Sequence, residues 1–405
     1  MKLAGIAPRR SLPLRIRLAP GPALAFALAA TPAGCDLSAV AWEPRRVPQD
    51  MPAQLVATGR WHSCVLYRNR NLGCWGENGS GQLGVPGSEA LPRPLGVLLS
   101  ADPVGVAAGA HHSCAALTDG AVQCWGTNHE GFLGVAAPDC ATDPAACRVA
   151  PSVVPSVTGA VAVAASGEFA RSAADAVGFS CAIQAADVVL CWGDNRHGQL
   201  GRGSSEPFHG NAARVVNGES FALRQVVKVA AGNTHACAVD ATGAVSCWGN
   251  MWTENIASAS ERVAAERLPG TSGAVDVAAG ESHACAALSS GQVACWGENR
   301  NGQAIPSGGD YISAPMPVPG LGRVTAVAAG GRHTCVLVDG GSVVCWGSNE
   351  EGQIGHSTQS LELLPNLVAL PGPAVQISAG FAHTCAVMDD GAVYCWGSSR
   401  LERPS

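Results

Sequence analysis

The sequence predicts an all-β chain folded as a seven-bladed β-propeller with four-stranded blades, and three observations carry that expectation. The skeleton Cys, nine residues, Cys-Trp-Gly occurs seven times: Cys64 with Cys74, Cys114 with Cys124, Cys181 with Cys191, Cys237 with Cys247, Cys285 with Cys295, Cys335 with Cys345, and Cys385 with Cys395. Successive copies stand 48 to 67 residues apart, a period that marks repeat architectures and outranks local propensity. Each copy holds short β-rich runs between Gly, Asn and Asp punctuation, as in VTAVAAG, HTCVLV and SVVCWG of the sixth. These read as three antiparallel strands with a looser fourth, a sheet that buries its faces only by stacking on copies of itself in a closed ring.

Before the first repeat, residues 1–34 read as an export signal. Lys2, Arg9, Arg10, Arg15 and Arg17 precede the short apolar run ALAFALAA from Ala23, and small residues stand before Cys35. That run is too short for a membrane span, which takes ~20 residues. TPAGC from Thr31 is similar to a lipobox, with Pro32 where an aliphatic residue is usual. Cys35 is therefore a candidate for lipid attachment; the other reading is a thiol left near a cleavage point. Residues 35–46 are polar and proline-containing, a tether, and 47–405 form the propeller domain.

Within each repeat the cysteine spacing fixes the central hairpin. If Cys114 and Cys124 face each other, the loop has an odd number of residues and centres on Thr118-Asp119-Gly120. Such three-residue loops want positive φ at their last position. Gly120, Gly243, Gly291, Gly341 and Gly391 supply it, whereas Arg70 and Asp187 stand there in the other two copies. The register puts each cysteine pair at a non-hydrogen-bonded position with Cα atoms ~4.5 Å apart, inside the range a disulfide accepts. Cys140 and Cys147, together in one loop, make an eighth pair. Persistent disulfides imply an oxidising compartment, so the expected location is the cell envelope or outside the cell.

Alternation sends Trp75, Trp125, Trp192, Trp248, Trp296, Trp346 and Trp396 to the sheet face opposite the disulfides. The indoles then pack between blades. His62, His112, His235, His283, His333 and His383 lie two residues before the first cysteine of their copies, with Phe179 in the third. We expect each imidazole to hydrogen-bond backbone of its own blade rather than to join a metal ring.

The combination AAG-x-x-H, then Cys, a DG turn and CWG-x-N-x-x-GQLG resembles the regulator of chromosome condensation repeat family. ENGSGQLG from Glu77, DNRHGQLG from Asp194 and SNEEGQIG from Ser348 carry its last element. The resemblance covers about 350 residues and implies the seven-bladed propeller. Family members include a nuclear exchange factor for a GTPase and a secreted bacterial β-lactamase inhibitor, so it does not fix one activity. The cysteine pairs depart from nuclear members and are similar to an exported bacterial branch. The fourth copy departs again at NMWTENIASASERVAAERL, where Ser258 and Glu261 form a capping box ahead of a short helix. The seventh ends without its outer strand, so the ring is expected to close by joining N- and C-terminal segments in one composite blade.

The 405-residue chain carries a net charge of −6. Removing residues 1–34, with five basic and no acidic side chains, leaves 20 basic and 31 acidic, or −11. That opposes nucleic acid as a partner. No nucleophile elbow, phosphate loop or H-E-x-x-H is present, so neither an enzyme nor a cofactor or metal site is expected. The reading is a monomeric, exported, non-catalytic binding scaffold, lipid-anchored or free, for a protein or glycan. The alternative is a regulator of a small GTPase; a secreted enzyme or enzyme inhibitor ranks below both. Segments Ala136–Pro151, Gly167–Gly178, Arg202–Arg224 and Asn250–Leu268 read as insertions that decorate the ring. Trp61 and Trp252 fall outside the repeat's Trp position and are the binding candidates.

Overall fold

The computed structural model describes residues 41–128, 131–135, 148–166, 178–185, 188–206, 209–250, 262–356 and 362–398. Residues 1–34, read above as an export signal, and Cys35, Cys140, Cys147, Asp187 and Trp252 lie outside the described residues. Seven four-stranded antiparallel sheets form the blades of a propeller. From axis to rim, the first blade is Ala53–Thr58, His62–Tyr67, Leu72–Gly76 and Leu91–Gly96. The turn from first to second strand and the connection from third to outer strand sit at one end, called upper here. The central hairpin turns and the linkers between blades sit at the lower end.

The central hairpins follow the cysteine register. Cys114 pairs with Cys124 in the ladder, and Gly120 N donates to Leu117 O at 2.9 Å. Gly120 has φ 81°, and Arg70 takes the same left-handed conformation at φ 68°. The seven expected disulfides are all formed. Cys64 bonds Cys74, Cys114 bonds Cys124, Cys181 bonds Cys191 and Cys237 bonds Cys247, each with Cα atoms 4.1 Å apart. Cys285 bonds Cys295 at 4.0 Å, and Cys335 bonds Cys345 and Cys385 bonds Cys395 at 4.1 Å. These separations are a few tenths of an ångström below the ~4.5 Å expected of a non-hydrogen-bonded pair. Second and third strands are buried on both faces, which explains why their sequence is almost continuously apolar or small.

One pattern of packing repeats at all seven junctions. Trp125 shares a core cluster with Cys64 and Cys74 of the preceding blade, Trp192 with Cys114 and Cys124, and Trp248 with Cys181 and Cys191. Trp296 lies in one cluster with Cys237 and Cys247, and Trp346 with Cys285 and Cys295. Trp396 packs with Cys335 and Cys345, and Trp75 closes the circle on Cys385 and Cys395. Each blade thus offers an indole to one neighbour and a disulfide to the other. Truncating such a tryptophan to Ala would cost about 3 to 5 kcal/mol.

Ring closure is composite, and its strand lies where the sequence suggested a tether. Ala41–Arg46 is the outer strand of the seventh blade, antiparallel to Val393–Gly397. Val47 N continues the ladder to Val393 O at 2.8 Å, and the Val47 side chain is buried beside Trp75 and Val387. The segment AWEPRR looked unstructured because an outer strand has one solvated face and tolerates proline. Pro92, Pro94, Pro151, Pro315, Pro317 and Pro365 occupy other outer strands, where a missing N–H blocks edge pairing with another chain.

Two further expectations need correction. Arg262–Arg267 is the fourth blade's outer strand, not a helix after Ser258, because Cys247 and Gly249 need a ladder partner. Arg202–Arg224 is no simple insertion either, since His209–Arg214 within it is the third blade's outer strand. Deleting residues 41–46 should open the ring: the thermal midpoint is expected to fall by at least about 10 °C, at about 2 °C per kcal/mol for a domain this large. An unchanged midpoint by circular dichroism would reject composite closure.

Candidate functional site

The histidines build the scaffold beneath the upper end of the axis. His62 Nε2 lies 2.8 Å from Ser113 Oγ in the next blade, and Ser113 Oγ donates to Gln82 O at 3.0 Å. Trp125 Nε1 donates to the same carbonyl at 2.9 Å. Because the hydroxyl proton goes to the carbonyl, the hydroxyl oxygen accepts from the imidazole, which is the neutral Nε2–H tautomer. The relay recurs as His283, Thr334, Gln303 O and Trp346, and as His333, Thr384, Gln353 O and Trp396. His112 meets Ser180 at 2.8 Å, and His383 closes the ring on Ser63 at 2.9 Å.

These bonds run between blades, which corrects the expectation of contacts within each blade. The backbone at this level is already committed, as Gly59 N to His62 O at 2.8 Å shows, so the ring nitrogen must look across the junction. Burial holds His62, His112, His283 and His333 at a pKa of about 3, and His235 and His383 at about 4. Neutral and sequestered, they face the blade junctions. Among the described residues, no group of three or more His, Cys, Asp or Glu is placed to hold a metal ion.

Around the axis the chains approach by backbone. Phe381 N donates to Gly59 O, Arg60 N to Gly109 O, Glu281 N to Gly330 O and Gly331 N to Gly380 O, at 3.1 to 3.3 Å. A Cβ on Gly59 would lie 2.3 Å from Gly109 O and 2.6 Å from the His62 ring, so only glycine fits. The Ala-Gly turns line an open depression of about 90 Å³. The first residue after each glycine lines it, Arg60, Ala110, Asn233, Glu281, Gly331 and Phe381, and the pairs differ between copies: Arg60-Trp61, Ala110-His111, Asn233-Thr234, Glu281-Ser282, Gly331-Arg332 and Phe381-Ala382.

These variable residues form one asymmetric cluster. The Arg60 guanidinium sits 5.9 Å from the Trp61 ring centroid and 6.0 Å from that of Phe381, within cation–π range. Trp61 and Phe381 meet edge to face at 5.4 Å. Arg60 Nη1 is 3.5 Å from His111 Nε2, and Ser80 Oγ is 3.5 Å from His111 Nδ1. Burial and the neighbouring guanidinium keep His111 neutral, with a pKa of about 4. Elsewhere on the rim Arg332 Nε pairs with Glu281 at 3.3 Å. Trp61, a sequence candidate, is thus at the rim but 5% exposed, packed beneath Arg60. Arg60, His111, Phe381, Glu281 and Arg332 were missed. Their signal was the variable pair in AAG-x-x-H, the place where the copies stop resembling one another.

The comparisons now decide the family. Models of the regulator of chromosome condensation (RCC1) repeat match residues 54–82, 104–131, 226–251, 274–303, 324–353 and 374–401, and in a second form 74–116, 290–337 and 340–387. The chain belongs to the RCC1 repeat family. A curated relative, the probable E3 ubiquitin-protein ligase HERC3 of Homo sapiens, is 43% identical over 70 residues. That match spans 17% of this chain and only 6% of the relative. Human WBSCR16 superposes with a TM-score of 0.70 at 20% identity, covering 88% of this chain and 89% of that one. Prp20p from Saccharomyces cerevisiae, studied for binding to Gsp1p and histones, gives 0.67 at 20% identity over 84% and 81%. These RCC1-repeat likenesses show the fold.

The relay is broken where the fourth blade meets the fifth. Ala284 replaces the hydroxyl opposite His235, whose ring nitrogens find no side-chain partner. Where the third blade has Phe179, the fourth correspondingly has Ala236. Ala284→Ser should therefore stabilise the protein by roughly 1 kcal/mol, and Ser113→Ala destabilise it by about 1 to 3 kcal/mol. Urea unfolding of both variants checks the relay, and equal small effects at the two sites would reject it.

Proposed function

We propose that this RCC1-repeat propeller is an exported, non-catalytic scaffold that binds a protein or glycan on its upper face. In this reading residues 1–34 direct export, and the chain is held to a membrane through lipid on Cys35 or released. The observation that carries the reading is the cluster of Arg60, Trp61, His111 and Phe381. It is the point where a near-symmetric ring becomes asymmetric, and it presents the half-buried Arg60, His111 and Phe381 side chains over a buried Trp61, a set suited to recognition. The flanks of 136–147, 167–177 and 251–261 also end at the upper face. Loops on a rigid scaffold are where binding residues concentrate. Seven bridges, six of them buried at both cysteines, favour an oxidising compartment.

A second reading, regulation of a small GTPase, draws support from the likeness to Prp20p and its named partner Gsp1p. The disulfides weigh against it, because such a partner is cytosolic. The two separate in one experiment: the full-length protein captures partners from envelope and cytosolic extracts, alongside Arg60→Glu/Arg332→Glu. Recovery of an envelope component that drops at least about fivefold in the variant, with an unchanged unfolding midpoint, is expected. Equal recovery rejects the upper face. Capture of a GTPase whose nucleotide exchange accelerates would establish the second reading.

A further inference from the structure

The exposed apolar residues are distributed unevenly between the two ends. Of the twelve large hydrophobic side chains exposed among the described residues, none belongs to an upper turn or connection. Five are on outer strands, and Leu98 and Phe221, 91% and 67% exposed, are on lower linkers. The remaining five are valines in equivalent places: Val104, Val161, Val227, Val275 and Val375, 38 to 60% exposed. Each is the second residue of an inner strand, at the lower end of the axis.

A repeated backbone device puts them there. Every inner strand has a register shift at its second residue, as between Pro103 and Gly105 or Val226 and Lys228. A bulge leaves its extra residue unpaired and re-aims the side chain. The same bulge carries Gln54 in the first blade and Thr325 in the sixth, so the fold does not require valine. The apolar choice in five of the seven blades sets a collar of exposed valines at the lower ends of the inner strands, interrupted by Gln54 and Thr325.

Charge says what covers the collar. On the lower turns and linkers seven carboxylates are exposed, among them Asp50, Asp102, Asp119 and the pair Asp389-Asp390, against four arginines. Two of those arginines are engaged within the surface, Arg68 Nη2 with Asp389 O at 3.0 Å and Arg323 with Asp339 at 3.8 Å. A second copy would bring like charge against like charge.

We propose that the valine collar and its acidic surround form a docking site for a basic protein segment that inserts an aliphatic side chain at the axis. This surface is separate from the upper face, and neither reading depends on the other. The test uses the full-length oxidised protein and three fluorescein-labelled peptides: cationic with a central Leu-Ile, cationic with a central Ser-Gly, and acidic with a central Leu-Ile. Saturable anisotropy is expected only with the first, weakening as NaCl rises from roughly 50 to 300 mM. Val161→Gln/Val227→Gln/Val275→Gln, which copies the residue natural at position 54, should weaken it at least about tenfold. Arg60→Glu should leave it unchanged, and the unfolding midpoint of both variants should be that of the parent. Equal binding of all three peptides, or no saturable binding, overturns the proposal. So does sedimentation showing a dimer that the valine variant dissolves, since the occupant would then be a second copy.

Discussion

The whole ring depends on one arrangement repeated at seven junctions, an indole that shares a buried cluster with the disulfide of the preceding blade. A four-stranded blade has two apolar faces and cannot bury either alone. In this chain one face is a bridge with small flanking residues and the other is a tryptophan, so each blade fits only the next blade of its own kind. The His–hydroxyl–carbonyl relay lies beside that contact and fixes its height and rotation. Polar networks of this sort specify geometry, and here three junctions carry the full set of four groups, with only the Nδ1 atoms of His62, His283 and His333 left without a partner.

Much of this was legible in the sequence, and the reason is burial. The second and third strands are enclosed on both faces, so period, cysteine register and turn chemistry all agree, down to positive φ at Gly120 and Arg70. The pairings of Cys285 with Cys295, Cys335 with Cys345 and Cys385 with Cys395 follow from spacing alone, because each pair sits in one hairpin and needs no distant partner. The outer strands were not legible. Ala41–Arg46, His209–Arg214 and Arg262–Arg267 each have a solvated face and owe their conformation to a ladder partner rather than to their own residues. Histidine position was visible as a period, but its bond crosses to a residue about 51 positions away, a partner that exists only once blades are stacked.

The candidate site shows the opposite dependence. Arg60, Trp61, His111 and Phe381 come together because the chain's first blade meets its seventh and second, a juxtaposition with no local signature. What the sequence did contain was the contrast between an invariant frame and a variable pair after each axial glycine. Symmetry makes the channel wall uniform, and function has room only where symmetry is relaxed: the upper rim, the segments that end there, and the bulge residues below. The disulfides fit this division, since cross-linking each central hairpin leaves rim positions free to vary without weakening the blades.

The measurement that bears most directly on this account is disulfide mapping of the protein from its native host, with thiols alkylated before and after reduction. The account predicts seven cross-linked peptides, from Cys64 with Cys74 through to Cys385 with Cys395, each joining cysteines ten residues apart and all inaccessible to alkylation until reduced. Free thiols at these positions would contradict it, removing both the packing surface each tryptophan meets and the argument for an oxidising compartment.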